Sequence, residues 1–341
     1  MLFSFKINSM KPVFIFGFGE IGKGVLRNLE KKEGIKLMGV IDIDPEKVNK
    51  SLYSLTGSEK FKDIYVESDA ERVLEREKNG VVLHLTSSHL KDVIDEYFLI
   101  LDKGHHIITT TEEMTDPYLK NKELAEKLEK RAKRKKRAII PTGVNPGFAM
   151  DLLPIIFSGV FEEIEGINIK RIQNASKRRY PLQKKIGSGL TTSQFKEKWE
   201  KREIGHVGLA ESGSIIAKAL KLQIKNLEET CEPKIAKSYI KTDFFEVNPG
   251  YVCGILHNVK IETYENVKIN LFLEMSLDAE NPVDSIIING KPYLKIEIPG
   301  GIPGDEATAS IVCNWIDKVF EIPPGLWTID KLFFSHYFKK I

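Results

Sequence analysis
Gly17-Phe18-Gly19-Glu20-Ile21-Gly22 sets three glycines at G-x-G-x-x-G spacing, directly after the apolar run Val13-Phe14-Ile15-Phe16. Such a loop suits the pyrophosphate of a dinucleotide. Gly17 allows the tight turn, Gly19 lets the backbone approach a phosphate with no Cβ in the way, and Gly22 lets the following helix pack close to the strand. The helix N-terminus adds free N–H groups and a partial positive charge. Asp42 ends a second apolar run 20 residues beyond Gly22. An acid there hydrogen-bonds the adenosine ribose hydroxyls. Ile43, Asp44 and Pro45 follow without an arginine, and Lys47 is the one nearby base. This pattern favours NAD, with NADP possible.

Ligands of parallel sheets bind outside the carboxyl ends of the strands. That rule selects Thr86-Ser87-Ser88, Thr110-Thr111-Glu112-Glu113 and Gly143-Val144-Asn145-Pro146-Gly147. The first and third also read as ordinary turn chemistry.

The elements that must position these residues follow from periodicity. Lys11–Phe16, Ile35–Asp42, Val81–Leu85, His106–Thr110 and Ala138–Pro141 read as buried strands. Glu20–Lys32, Ala70–Arg76, Leu90–Leu101 and a long charged stretch from Asp116 to about Arg137 read as helices between them. Apolar strands at this spacing mean βαβ units and a parallel sheet covered on both faces. After Gly147 the pattern changes. Gly166–Ala175 alternates like a strand, Thr192–Lys201 and Val207–Leu220 look helical, and 237–298 is mostly β-like. Asp305 is placed to cap a helix from about Ala307 to Val319 that returns to the first domain. The fold class is therefore α/β: a Rossmann-type parallel-sheet domain over 1–145 and 305–341. An α+β second domain with a mixed, largely antiparallel sheet covers 146–304 and serves substrate binding and dimerisation.

With 341 residues, 42% hydrophobic and 29% charged, the chain is an ordinary globular protein. A net charge of +3 gives no reason to expect nucleic acid or an anionic membrane as partner. Cys231, Cys253 and Cys313 form no CxxC pair. No metal site is expected, and a reducing cytoplasm fits. Met1–Met10 is too short and broken for a signal peptide, and no apolar run reaches a membrane span.

At these residues the chain resembles the 2,4-diaminopentanoate dehydrogenases and related amine dehydrogenases, which share a dihydrodipicolinate-reductase-like cofactor domain. The resemblance covers nearly the whole chain. It rests on the Gly17–Gly22 loop, Gly39–Pro45, Thr111-Glu112-Glu113, Gly143–Phe148, Arg178–Lys185, Gly205-His206-Val207-Gly208, Gly300–Asp305 with Ala307-Thr308-Ala309, and Pro324-Gly325-Leu326. It implies NAD(P)-linked deamination of an amine to a ketone and ammonia, or the reverse reductive amination. Thr111 stands where a cysteine is expected and Pro303 where a histidine is expected, so the preferred amine can differ from the family's.

Such chemistry needs a base, because an ammonium has no lone pair to release a hydride. Glu112 and Glu113 are the candidates; on an extended segment adjacent side chains point opposite ways, so one faces the pocket. His206 suits the polar end of the substrate or a proton relay. Arg178 or Arg179 suits a substrate carboxylate, and Asn145 the nicotinamide amide or the substrate amine. Two other readings stay open: a dihydrodipicolinate-reductase-like or homoserine-dehydrogenase-like oxidoreductase, and a non-catalytic NAD-binding sensor. His105-His106 lacks the lysine and Ser-Gly-Thr segment of true dihydrodipicolinate reductases, and a sensor needs no base.

Overall fold
The computed structural model describes residues 10–332, 335 and 337. They form two units. One runs to Val144 and resumes over Pro303–Thr328; the other takes Asn145–Ile302 and the described residues from Ile329 onward.

In the first unit, β1 (Lys11–Phe16), β2 (Ile35–Ile41), β3 (Val66–Glu67), β4 (Val81–His84), β5 (His106–Thr109) and β6 (Ala138–Pro141) pair in the order β6-β5-β4-β1-β2-β3. Gly325–Leu326 adds an edge strand beside β6, and every pairing in this sheet is parallel. This is the doubly wound dinucleotide-binding order. β4, β5 and β6 are buried at every position, because helices cover both faces. On one face α1 (Glu20–Glu30) and α2 (Leu52–Thr56) share a core with the C-terminal helix Gly304–Lys318, through Val25, Leu29, Leu52, Val312 and Ile316. On the other, α3 (Ala70–Leu74), α4 (Leu90–Asp102), α5 (Pro117–Lys120) and α6 (Lys122–Lys135) are arranged about Phe14, Val82 and Ile107.

Three local expectations are corrected. The long helix from Asp116 breaks at Asn121, whose side chain is drawn away to donate to Glu113 Oε2 at 3.0 Å. Glu112–Thr115 is a 3₁₀ turn, not an extended segment, so the two glutamates do not alternate across a strand. Asp305 does not cap the C-terminal helix; Pro303 occupies that position, and Asp305 lies in the first turn, where the helix dipole favours an acid.

The second unit carries β7 (Glu163–Asn174), β8 (Ile224–Ile235), β9 (Ile240–Lys241), β10 (Glu246–Val247), β11 (Val252–Thr263), β12 (Lys268–Ser276), β13 (Val283–Lys291) and β14 (Leu294–Pro299). Six of them form a mixed sheet, β14-β13-β7-β12-β11-β8, antiparallel except for β7 beside β12. The helices are α7 (Leu152–Ser158), α8 (Tyr180–Lys185), α9 (Thr192–Glu200) and α10 (Leu209–Ala219). Helix α10 lies on β11 and β12 so closely that a Cβ on Gly213 would sit 2.7 Å from Ile261 Cδ1. Strand β8 escaped the sequence reading because it is an edge strand, half-exposed without clean alternation.

The tail also departs from expectation. From Ile329 on its described residues belong to the second unit: Asp330 pairs with Lys218 at 3.5 Å, and Tyr337 N–H donates to Ser158 Oγ at 3.0 Å. The expectations for 1–9, 333, 334, 336 and 338–341 lie outside the described residues. Among the described residues no helix is long and apolar enough to cross a membrane.

Three imidazoles are buried in the first unit. His105 accepts from Gly80 N–H at 3.2 Å, and its other nitrogen meets Leu74 O at 2.9 Å. His106 accepts from Ala138 N–H at 3.1 Å. The pair that echoes a reductase signature is thus a strand support. Burial depresses His84, His105 and His106, the last from 6.5 to about 4. Their folded values lie below the unfolded one, so the unfolded chain binds more protons and stability falls as pH drops from 6.5 to about 4. The urea midpoint should fall over that interval, and His106→Asn, which keeps an acceptor for Ala138, should flatten the fall; an unaltered slope would refute this.

Candidate functional site
In the first unit the glycine loop is shaped as its spacing requires. Gly17 has φ +95°, and a Cβ there would lie 2.8 Å from the Leu85 carbonyl oxygen. A Cβ on Gly22 would meet Gly17 O at 2.5 Å, whereas one on Gly19 would meet nothing within 4 Å. The open side of Gly19 and the uncapped start of α1 leave a cradle that fits a pyrophosphate. Glu20, in that first turn, pairs with Lys23 at 2.8 Å, and Ile21 packs into the core behind it.

Asp42 closes the loop. Its Oδ2 accepts from Phe18 N–H at 2.6 Å and from Lys47 Nζ at 3.2 Å; its Oδ1 accepts from Asp44 N–H at 2.9 Å. A carboxylate has about four acceptor positions, so one remains for a ribose hydroxyl. Ile43 beside it is exposed.

The other strand ends are partly committed to the scaffold. Thr86 Oγ1 reaches His84 Nε2 at 3.2 Å, Ser87 Oγ donates to Asp92 at 2.7 Å, and Ser88 O accepts from Glu113 N–H at 3.1 Å. Glu113 is buried. It accepts from Leu90 N–H at 2.9 Å, meets His89 Nδ1 at 2.9 Å and takes Asn121. It caps the start of α4, where orphan N–H groups need an acceptor. Glu112 is half-buried. Thr111 turns inward: Tyr97 OH donates to its hydroxyl at 2.7 Å.

In the second unit Asn145 Nδ2 lies 3.2 Å from His206 Nε2, bringing together two of the expected residues. Asn145 Oδ1 is buried without a hydrogen-bond partner among the described residues. The Asn145–Pro146 bond is cis. Asp151, which the sequence reading missed, holds this loop: its Oδ2 accepts from Gly147 N–H and from Ser212 Oγ, both at 2.8 Å. Burial pushes the Asp151 carboxyl up. Arg178 and Arg179 are half-buried at the entry to α8. A second missed group is the buried ion pair of Arg171 and Asp284. Arg171 Nη2 donates to Ile302 O at 2.7 Å and Ile302 N–H donates to Asp284 Oδ2 at 2.8 Å, which fixes the loop at Gly300-Gly301-Ile302.

Residues 148–339 match the family model of the 2,4-diaminopentanoate dehydrogenase C-terminal domain, and residues 13–140 that of the saccharopine dehydrogenase NADP binding domain. The chain is similar to the 2,4-diaminopentanoate dehydrogenase of Acetoanaerobium sticklandii, 27% identical over 93% of this chain and 92% of that protein. In fold it is similar to an amine dehydrogenase from Mycobacterium smegmatis (TM-score 0.86, 23% identity, 96% of this chain and 97% of that one). It is more distantly similar to a scyllo-inositol dehydrogenase from Lactobacillus casei (TM-score 0.60, 11% identity, 96% and 93%).

Asp42→Ala removes the acceptor placed for a ribose hydroxyl and one of the two acidic partners of Lys47, which keeps Asp44 at 3.1 Å. It should weaken NAD binding more than NADP binding, by about ten- to a hundred-fold, the worth of one charge-assisted hydrogen bond. Fluorescence titration of both nucleotides checks this; equal losses would mean that the carboxylate serves the loop alone.

Proposed function
This chain belongs to the family of the 2,4-diaminopentanoate dehydrogenases and is an NAD(P)-dependent oxidoreductase acting on CH–NH2 groups; on that premise we propose that it deaminates 2,4-diaminopentanoate or a close amine analogue to a ketone and ammonia, reversibly. The first unit is the proposed cofactor domain and the second the proposed substrate and dimerisation domain. NAD is the preferred cofactor in this reading. The Gly17–Gly22 loop receives the pyrophosphate, Asp42 the ribose and Ile43 the adenine face, and Thr86, Ser87, Ser88, Asn145, Pro146 and Gly147 are further proposed cofactor contacts. The buried, unpaired state of the three cysteines supports a reducing, cytoplasmic setting, and the protein is proposed to be a homodimer.

One observation carries the mechanism: of the two glutamates after β5, Glu113 has its oxygens committed to α4 and Asn121. Glu112 is therefore the proposed base and Glu113 the residue that positions it. When bound, NAD(P) supplies the hydride acceptor. Glu112 takes a proton from the substrate ammonium, which frees the nitrogen lone pair, and later takes one from the water that attacks the oxidised carbon. The unpartnered oxygen of Asn145, beside His206, suits an N–H of the amine or of the carboxamide. Arg178 or Arg179 suits a substrate carboxylate.

Assays of NAD and NADP reduction against an amine panel that includes 2,4-diaminopentanoate test the substrate. Glu112→Gln should lose at least about a hundred-fold in turnover with cofactor affinity intact. Glu113→Gln should instead lose a capping interaction, about 0.5–2 kcal/mol of stability, and keep most of its turnover below the melting point. A Glu112→Gln enzyme of near-normal rate would transfer the role of base elsewhere, to His206 first. Separately, Arg178→Ala or Arg179→Ala should lower activity on amino acids while sparing amines without a carboxylate; a uniform drop would exclude carboxylate recognition.

A further inference from the structure
Where β4 and β5 end, ahead of the glutamate pair in the chain, the first unit buries a connected set of hydroxyls and an imidazole. His84, at the end of β4, is fully buried, and its Nε2 lies 2.5 Å from Glu96 Oε2 on α4. Glu96 is about one-third exposed, so its carboxylate reaches solvent. His84 Nδ1 lies 3.5 Å from Thr109 Oγ1 at the end of β5. Thr109 Oγ1 lies 2.7 Å from Tyr97 OH, and Tyr97 OH lies 2.7 Å from Thr111 Oγ1, one residue before Glu112. Phe16 from β1 packs on the His84 ring at 5.3 Å, and Thr86 touches Nε2. Of the groups on these elements that meet His84, Glu96 is the charged one and Tyr97 the other titratable one; the Tyr97 phenol is pushed beyond the ordinary range by burial and stays neutral.

We propose that Thr111, Tyr97, Thr109, His84 and Glu96 form a proton relay that carries the proton released in amine oxidation from the Glu112 end of β5 to solvent. The inference rests on the functional reading above. Oxidation of an ammonium substrate and water to ketone, ammonium ion and reduced cofactor leaves one proton per turnover, which the base must shed before the next cycle. Each link of the relay can both accept and donate. The carboxylate of Glu96 holds the proton of His84 on Nε2, so Nδ1 is the acceptor for Thr109 O–H. At rest Tyr97 O–H donates to Thr111; for transfer toward Glu96 the hydroxyls turn, so that Thr111 donates to Tyr97 and Tyr97 to Thr109, a pair in which either oxygen can be the donor. A proton given to the Thr111 hydroxyl moves every O–H and N–H proton one place along, and one leaves as the Glu96 carboxyl proton. No heavy-atom bond is made or broken. The same arrangement explains why Thr111, where the family resemblance calls for cysteine, turns its side chain inward.

Two variants test the relay. Tyr97→Phe removes only the central hydroxyl, and Glu96→Gln removes only the outlet on a surface helix. In weakly buffered solution each should lower kcat about tenfold and raise the solvent deuterium isotope effect on kcat, with the amine KM and NAD(P)H affinity unchanged. Added imidazole, a small diffusible proton acceptor, should restore kcat in both. If kcat and the isotope effect stay at wild-type values, or if both variants lose activity that imidazole does not restore, the chain only packs and the proposal fails. A wild-type enzyme inactive on every amine would instead overturn the functional reading, and the relay with it.

Discussion
Burial of a parallel sheet on both faces confines the chemistry of the first unit to one edge. Strands whose every residue is covered cannot carry a polar side chain in mid-strand without a partner, because an unmet polar group in the interior costs about 1–3 kcal/mol. Polar residues therefore collect where the strands end: Asp42 after β2, His84 to Ser88 from the last residue of β4 onward, and Thr109 to Glu113 from the last residue of β5 onward. The glycine loop opens at the same edge because Gly17 hydrogen-bonds to the end of β2 through Ile41 O at 2.8 Å. The doubly wound order thus sets where a dinucleotide can bind, before any particular side chain is chosen.

Within that edge, buried polar groups are satisfied by one another. Glu113 meets the backbone of α4, a histidine and an asparagine, and that asparagine in turn interrupts the helix expected across it. His84, Thr109, Tyr97 and Thr111 form a second connected set. Networks of this kind rigidify their surroundings when complete and are expensive when any member is lost. Of the two adjacent glutamates, Glu113 is the one consumed in holding the turn.

The second unit uses the same physics with charge. Arg171 on β7 and Asp284 on β13 are buried together, and both bind the backbone of Ile302. Replacing such a pair with apolar residues is often harmless, whereas removing one member strands the other and typically costs about 3–5 kcal/mol. Its structural product is a fixed Gly300-Gly301-Ile302 loop. Asp151 does the equivalent for the Asn145-Pro146-Gly147 segment, which holds Asn145 within reach of His206. Both anchors act on backbone, at Gly147 and at Ile302, and so decide where those loops come to rest.

The sequence by itself determined the features that depend on neighbours a few residues apart. The glycine loop, the apolar strands of the parallel sheet, the amphipathic α1, the place of Asp42 and the change of architecture after Gly147 all follow from local spacing, where strand and helix periods and the steric freedom of glycine act directly. Only the tertiary structure decided which way Glu113 turns, that Asn121 breaks a helix, that Thr111 faces Tyr97, and that the described residues from Ile329 onward join the second unit. Buried polar groups here find partners far away in sequence: Leu90 lies 23 residues from Glu113, Ser212 lies 61 from Asp151, and Asp284 lies 113 from Arg171. A buried polar group takes whichever partner the packed core brings to it, and no period in the chain announces which one that will be.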